Sequence, residues 1–356
     1  MIQKINSKWL FLSILIFPLK GLATPEEQPA EQQEESFTDV VMHHIADSHE
    51  YHLFDWNQES ITLPLPIILW TENGLVTFLS NEFHYDDSGK VVVEKAGQYF
   101  VCIHGQIYYT DAQGNISYNK EHKVTNARPL DFSITKNVVV LFLIAIFMFL
   151  AFTALARSYK KNPKAPKGFA NLLETLVVFV RDDIAIPNIG GKKYERYMPY
   201  LLTVFFLILL GNLLGLVPII SGTLTNDIVF TGTLALLTFL ITTFSGNGNY
   251  WKHIFATPGV PMWLAPIMIP VEVIGMLTKP FSLMIRLFAN ITAGHIIILS
   301  LIGLIFTFKT LLVSPVSVGF ALFISILELL VAFIQAYVFT LLSALFIGGA
   351  VAEEHH

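Results

Sequence analysis

The side chains in this sequence that could do chemistry stand inside its most apolar stretches. Arg286 interrupts the segment SLMIRLFANITAGH, residues 282–295. An arginine stays protonated at any biological pH, so it cannot avoid the penalty of burial by becoming neutral. Placing a charged side chain at the centre of a membrane helix costs about 2.5 to 3.5 kcal/mol, and such residues are candidates for function. Arg286 is therefore the first candidate in this chain.

The other polar residues at this depth are spaced so that helices would sort them by face. Seven residues advance a helix by about 700°, which is about 20° short of two full turns. Glu272, Lys279 and Arg286 therefore form one stripe. Asn290 follows one turn beyond it, and His295 lies on the opposite face. The candidates are Glu272, Lys279, Ser282, Arg286, Asn290 and His295 in one long segment, and Glu328 and Gln335 in the next.

This spacing predicts two working surfaces on one helix. One face presents Arg286 to a partner, and the other presents His295 to Glu328 and Gln335 across a hairpin. A histidine and a carboxylate that are neighbours can relay a proton.

Simpler roles for the same residues stay open. Glu272 and Lys279 would be inexpensive near a membrane interface, because their ends could reach water. Lys279 stands directly before a proline and could be structural, and His295 could be a hydrogen-bonded packing residue. A permanent ion pair of Arg286 with Glu328 would satisfy the charge, but it would add cost relative to an apolar pair.

The composition defines the class of protein. Of the 356 residues, 53% are hydrophobic and 14% are charged, against about 25% charged in a soluble protein. Mean hydropathy is +0.58, which indicates a membrane protein. Cys102 is the only cysteine, so an intrachain disulfide, a cysteine-based zinc site and an iron–sulfur cluster are excluded, and we expect a small buried hydrophobe there. We expect no cofactor, metal or nucleic-acid partner.

The amino-terminal part has the layout of an exported protein. Residues 1–23 combine two lysines, a short apolar run and small residues, which predicts a signal peptide cleaved after Ala23. A retained anchor is the alternative. Residues 24–59 are expected to form an acidic, histidine-bearing linker. His49 and His52 could bind a metal from one helix face, but without partners at a recognised spacing a surface segment is favoured. The histidines of this linker are His43, His44, His49 and His52.

Residues 60–136 predict a small exported domain that is mostly β. Short runs of β-branched and aromatic residues are separated by turn sequences. The hairpin signals are Asn73-Gly74, Asp87-Ser88-Gly89 and Gln113-Gly114-Asn115.

Residues 137–352 predict a helical transmembrane domain, so the expected fold class is all-α and polytopic, with the small β domain in front. The last two spans are long, tilted helices that form a hairpin: residues 262–308 would measure about 70 Å as a straight helix, against a hydrocarbon core of about 30 Å. Pro270, Pro280 and Gly294 offer places to bend. The five expected spans are about 138–156, 198–220, 227–244, 262–308 and 316–351.

Basic residues predict the orientation. A cluster follows the first span, and by the positive-inside rule that side is cytoplasmic. The N-terminus is then outside, residues 353–356 form a cytoplasmic tail, and residues 169–186 form an amphipathic helix along the inner surface. The cluster contains Arg157, Lys160, Lys161, Lys164 and Lys167.

Three motifs carry a family resemblance over about residues 137–354. PFSLMIRLFANITAGH resembles the signature RLFxNxxAG, preceded by a Pro-x-Ser step, of subunit a of the rotary F-type ATP synthase. GNLLGLVP at 211–218 is similar to the second-helix motif of that family, and ELLVAFIQAYVFTLLS from Glu328 is similar to its last helix.

The resemblance implies a stator that conducts protons through two half-channels and faces a rotating ring of c subunits. It implies that Arg286 is the essential arginine between the half-channels and that Asn290 is a channel-side residue. His295 and Glu328 would be the ionisable pair, with Gln335 one heptad further. Many bacterial members carry Glu after Ala-Gly and His on the last helix, so the two are exchanged here.

The partners implied are the c-subunit ring, the b-subunit peripheral stalk, the remainder of the ATP synthase, membrane lipid and protons. The location implied is the bacterial inner membrane. The chain would be non-catalytic on its own, and it contains no G-x-x-x-x-G-K-[ST] nucleotide motif.

Two other classes of function compete with this interpretation. A self-contained proton-coupled secondary transporter would use Arg286 as an anion site and His295 with Glu328 as a relay. Such transporters usually contain two related halves, and no such repeat is visible in the sequence. A receptor or sensor is suggested by the exported β domain alone.

Overall fold

The computed structural model describes residues 47–56, 59–84, 86–120, 123–161, 168–217, 224–255, 264–308 and 314–352. The predicted signal peptide, the cytoplasmic tail and most of the predicted linker, with His43 and His44, lie outside the described residues. Nearly all of the predicted membrane segments and of the β domain lies within them.

The described part of the amino-terminal domain forms three small antiparallel sheets. Strand orders are β1-β2, β4-β3-β8 and β5-β6-β7. Alternate residues of the second and third sheets point into a common core that includes Ile67, Leu69 and Phe100. Cys102 belongs to that core, as predicted, and its thiol donates to Asp87 Oδ1 at 3.3 Å. The strands are β1 Glu50–Trp56, β2 Glu59–Pro64, β3 Pro66–Thr71, β4 Gly74–Leu79, β5 Val93–Lys95, β6 Gln98–Ile103, β7 Gln106–Thr110 and β8 Leu130–Asp131.

The domain begins earlier than the sequence pattern predicts. Strand β1 lies inside the stretch expected to be a linker, and it pairs with β2. Its register shifts between His52 and Phe54, and an irregularity of this kind breaks the alternation by which a strand is recognised. The helical spacing considered for His49 and His52 therefore does not apply. His49 is buried rather than on the surface, and its Nε2 lies 3.2 Å from Asp131 Oδ2.

The hairpin turns confirm one of the predicted signals. Strands β3 and β4 are joined by Glu72 and Asn73, with Gly74 at a φ of 106°. The hairpins β5-β6 and β6-β7 turn at Ala96-Gly97 and His104-Gly105, where all four residues have positive φ, as type I′ turns require. The other two predicted turn sequences, Asp87-Ser88-Gly89 and Gln113-Gly114-Asn115, lie in loops that connect strands of different sheets.

Among the described residues, five helices are long and apolar enough to cross a membrane, as predicted. They are α1 Lys136–Lys161, α4 Tyr194–Gly215, α5 Ile228–Ser245, α7 Ala265–Phe308 and α8 Ser314–Val351. Between them lie α2 Phe169–Phe179, a π-helical segment Val180–Ala185, α3 Ile186–Ile189, the 3₁₀ turn Leu224–Asn226 and α6 Gly248–Phe255.

The last two membrane helices form the predicted long hairpin. Helix α7 has 44 residues and α8 has 38, which correspond to about 66 and 57 Å. Pro270 and Pro280 lie inside α7 without interrupting it.

Helix α8 is the central element of the bundle. Its buried residues pack with those of α4, including Leu201, Phe205 and Ile208. Gly348 packs directly against the main chain of Asn188. Small residues at such positions allow membrane helices to approach closely. The small residues buried in α8 include Ala332, Ala336, Ser343, Ala344, Gly348 and Ala350.

Contacts between distant parts of the chain define the two ends of the bundle. At one end, Leu224 of the α4–α5 link belongs to the same buried cluster as Tyr51 and Leu65 of the β domain. At the other end, Asn247 donates its backbone N–H to Ala350 O at 2.9 Å, and Lys193 Nζ donates to Val351 O at 3.0 Å. The β domain and the α4–α5 link therefore share one side, and the C-terminus of α8 lies on the other.

Candidate functional site

Helix α7 has one face that packs against the bundle and one face that is exposed, and Arg286 lies on the exposed face. Leu283, Leu287 and Ile291 are buried against the rest of the bundle. Arg286 and Asn290 are exposed, and so are Lys279 and Ser282. Spacings of three and four residues place each set on its own face. The described residues therefore leave the arginine side of α7 open.

The main chain at Arg286 is tied to α8. Gln335 is 3% exposed, and its Nε2 donates to Arg286 O at 2.6 Å. The sequence predicted Gln335 beside His295 and Glu328, but its hydrogen bond goes to Arg286 instead. A carbonyl oxygen can accept a second hydrogen bond beside that of the helix, so this contact fixes the register of the two helices at the depth of the charge.

His295 and Glu328 are neighbours, as their spacing predicts. His295 Nδ1 lies 3.9 Å from Glu328 Oε1. Glu328 is 7% exposed, and neither of its carboxylate oxygens accepts a hydrogen bond from the described residues. A buried carboxylate without hydrogen bonds is costly in its charged form. This pair is therefore suited to holding and exchanging a proton.

Gly294 provides the space for that carboxylate, which sequence reasoning missed. A Cβ at Gly294 would overlap the Glu328 carboxyl group. The glycine of the A-G-H triplet therefore has a steric role in this chain: it lets α8 bring an acid against α7 beside His295.

A second polar contact that the sequence did not predict lies on α4. Asn212 and Thr225 are buried. Thr225 Oγ1 donates to Asn212 Oδ1 at 2.7 Å, and Asn212 Nδ2 donates to Ala332 O at 3.5 Å. Ala332 lies between Glu328 and Gln335 on α8. The motif GNLLGLVP contributes to the family resemblance, but it predicts no role for its asparagine, Asn212.

At the opposite end of the bundle, Glu272 and Lys279 line a cavity of about 440 Å³. Tyr250 and His253 of α6 line it too, and so does the C-terminal turn of α8. Lys279 Nζ lies 5.5 Å from the ring centroid of Phe346, close enough for a cation–π contact. The structure thus brings two of the candidate residues together, whereas Ser282 is not among those lining the cavity.

Arg286 stands between these two polar sites along α7. At 1.5 Å per residue, Lys279 lies about 10 Å before it and His295 about 13 Å after it. One site opens at the end that holds the C-terminus, and the other lies toward the end that holds the β domain. Fold and site together define a multi-pass membrane protein whose last two long helices carry ionisable groups on both sides of a permanent cation.

Comparison with known proteins identifies the family. Residues 138–348 match the family described as ATP synthase A chain. The chain is 55% identical over 233 residues to ATP synthase subunit a of Chloroherpeton thalassium, covering 64% of this chain and 69% of that protein. It is 52% identical over 233 residues to that of Myxococcus xanthus, covering 64% and 76%. For an Anaeromyxobacter species the identity is 40% over 331 residues, covering 91% and 73%. This chain belongs to the ATP synthase subunit a family.

The family supports a proton-translocating role in the F-type ATP synthase. The resemblance inferred from the three motifs is confirmed by the match over residues 138–348. Residues 40–132 match a separate family, described as a domain of unknown function (DUF8433). That match includes strand β1, in agreement with the early start of the β domain.

Proposed function

We propose that this chain is the proton-conducting stator subunit of an F-type ATP synthase, and that Arg286 faces the moving carboxylates of a c-subunit ring. The observation that supports this most directly is the position of Arg286. It lies on the open face of α7, between the His295–Glu328 pair and the cavity that holds Glu272 and Lys279.

Arg286 would act on each rotor carboxylate in turn. A carboxylate that travels against lipid is stable in its protonated form, and beside a fixed positive charge the ionised form is favoured. The arginine therefore forces release of a proton at one angular position. Because a guanidinium stays protonated, it also repels a proton and prevents direct leakage between the two polar sites. Each proton that crosses supplies about 2.3 kcal/mol per 100 mV of membrane potential.

The two polar sites would be the inner ends of the two half-channels. Protons would enter from the β-domain side through Glu328 and His295, with Asn290 and Gln335 at the boundary with the rotor. They would leave through the cavity lined by Glu272. The exchange of Glu and His relative to many bacterial members is compatible with this path, since two neighbouring groups can pass a proton in either order.

The basic residues support one orientation. Lys193 and Lys252 lie at the end of the bundle that holds the C-terminus, so by the positive-inside rule that end is cytoplasmic. The β domain is then exported, and residues 1–23 act as its signal peptide. We place the chain in the bacterial inner membrane. Its partners are the c ring, the b-subunit peripheral stalk and the remainder of the synthase, and it has no catalytic site of its own.

Purification and reconstitution test this assignment. The tagged chain should copurify with a small carboxylate-bearing c subunit and with a b-type subunit, and the complex in liposomes should acidify the lumen when ATP is added. The isolated chain should transport nothing. Proton-coupled solute uptake by the isolated chain, without such partners, would instead support a self-contained secondary transporter.

A further inference from the structure

A buried apolar cluster joins the β domain to the transmembrane bundle. Tyr51 and Leu65 of the β domain and Leu224 of the α4–α5 link are all buried. A Cβ added at Gly211 of α4 would lie 3.7 Å from Leu224 Cδ1, so the link also rests on α4. The members of the cluster are Tyr51, Leu65, Val140, Ile144 and Leu224.

Hydrogen bonds between the start of α1 and the residues before β1 also hold the β domain against the bundle. Lys136 donates its backbone N–H to Ser48 O at 3.0 Å. Asn137 donates its backbone N–H to Asp47 Oδ1 at 3.3 Å. The start of α1 is therefore bonded to the residues just before β1, and the domain is fixed to the bundle by more than its covalent link.

The residue after Leu224 begins a chain of hydrogen bonds toward the proton path. Thr225 is fully buried and bonds Asn212 at 2.7 Å, which in turn bonds Ala332 O. Ala332 is one turn from Glu328 and one turn from Gln335 on the same helix. Leu224–Asn226 is a single 3₁₀ turn of three residues, which is too short to be stable alone. Its position must therefore come from the elements that pack on it, which are α1, α4, α5 and α7 together with the apolar cluster shared with the β domain.

We propose that the β domain braces the part of the proton path on its own side: Tyr51 and Leu65, which share one buried cluster with Leu224, help to hold Thr225 in place and so position Asn212 beside α8. Thr225 and Asn212 are then positioning residues, and the domain of unknown function has a role in proton entry. This inference rests on the proposed function, because it assumes that Glu328 and His295 receive protons from the β-domain side.

The test uses the complete ATP synthase in native membranes and measures ATP synthesis as the pH on the β-domain side is varied. Thr225→Val removes the donor with little change of shape, and Thr225→Ser restores it. Leu65→Ala weakens the brace, and Leu75→Ala, at a side chain that is 60% exposed, is its control. Thr225→Val should lower the rate about fivefold, as for the loss of one buried hydrogen bond, and shift the pH dependence. Thr225→Ser and Leu75→Ala should match the parent.

Two residues that act through one another are not additive. Leu65→Ala should shift the pH dependence in the same direction as Thr225→Val, and the double variant should be no worse than Thr225→Val alone. Independent, multiplying effects of the two changes, or an unchanged pH dependence in Thr225→Val, would overturn the proposal. If the synthase with Leu65→Ala does not assemble, the comparison of Thr225→Val with Thr225→Ser still tests whether the Thr225 hydrogen bond affects proton entry. Arg286→Ala in the same membranes separates the proposed function from the proposed role of the β domain. If Arg286→Ala is inactive while Thr225→Val is normal, the proposed function stands and only the role of the β domain is wrong.

Discussion

Gln335 of α8 donates its side-chain amide to the main-chain oxygen of Arg286 on α7, with 2.6 Å between the two atoms. The bond joins residues 49 positions apart, at the level where the two membrane helices must hold a charge in place. It acts on the backbone of the arginine and leaves the guanidinium on the open face.

Replacing Gln335 by leucine should therefore misplace the arginine without removing its charge. Loss of one buried hydrogen bond costs about 1 kcal/mol, and we expect a drop of about fivefold in ATP-driven proton pumping. Inverted membrane vesicles with equal amounts of synthase provide the measurement. Pumping at the rate of the parent would show that the bond does not position Arg286.

Gly294→Ala tests the close approach of Glu328 to α7. The added methyl group would overlap the carboxyl group, so we expect pumping to be severely reduced, although alanine favours a helix by about 1 kcal/mol over glycine. Glu328→Asp, which shortens the side chain, should partly restore pumping in the Gly294→Ala background. Gly319→Ala is a matched control, because an added Cβ meets nothing within 4 Å at that position. Normal pumping in Gly294→Ala would contradict the packing described here.

His295 and Glu328 should be interchangeable as a pair. We expect His295→Glu alone and Glu328→His alone each to lower pumping by more than tenfold, since each leaves two like groups in contact. The double exchange should recover a large part of the activity, with a changed pH dependence. A double exchange as poor as the single changes would remove the support for a direct relay between these groups.

Glu50 makes a prediction about the β domain and pH. Burial, together with the negative charge of Asp87, raises the pKa of Glu50 from 4.5 to about 7. The folded state then binds more protons than the unfolded state between these values, so this group lowers stability as the pH rises from 4.5 to 7. Glu50→Gln should stabilise the domain at pH values above that window and have little effect below it. Pulse proteolysis of the full chain in detergent, compared with the parent at each pH, measures this. An equal gain of stability at low and high pH would contradict the stated cause.

The membrane helices could be predicted because lipid imposes long apolar runs, which are visible one segment at a time. The proximity of His295 and Glu328 could be predicted because helical spacing decides which face each residue occupies. The bond of Thr225 to Asn212 could not, since it joins a helix to a link and depends on how both pack. The sequence predicts a possible bend at Gly294, whereas the structure shows that this glycine leaves space for Glu328 of another helix.

Two features of the β domain, strand β1 and the turn at His104-Gly105, could not be predicted from local sequence patterns either. Its strands follow from alternating apolar residues, but β1 contains an irregularity that hides the alternation. The turn at His104-Gly105 was missed because a histidine with positive φ is uncommon. In each case the local pattern was weak and the surrounding sheet decided the conformation.

The central claim is that Arg286 enforces proton release from a passing carboxylate, and ATP-driven acidification of inverted vesicles tests it most directly. With equal amounts of assembled synthase, Arg286→Ala should abolish acidification. Arg286→Lys should fail nearly as badly, because a flexible ammonium group is a poor copy of a fixed guanidinium. Ile274→Ala, at an exposed position on the same helix, should pump normally. Acidification by Arg286→Ala at the rate of the parent would contradict the account.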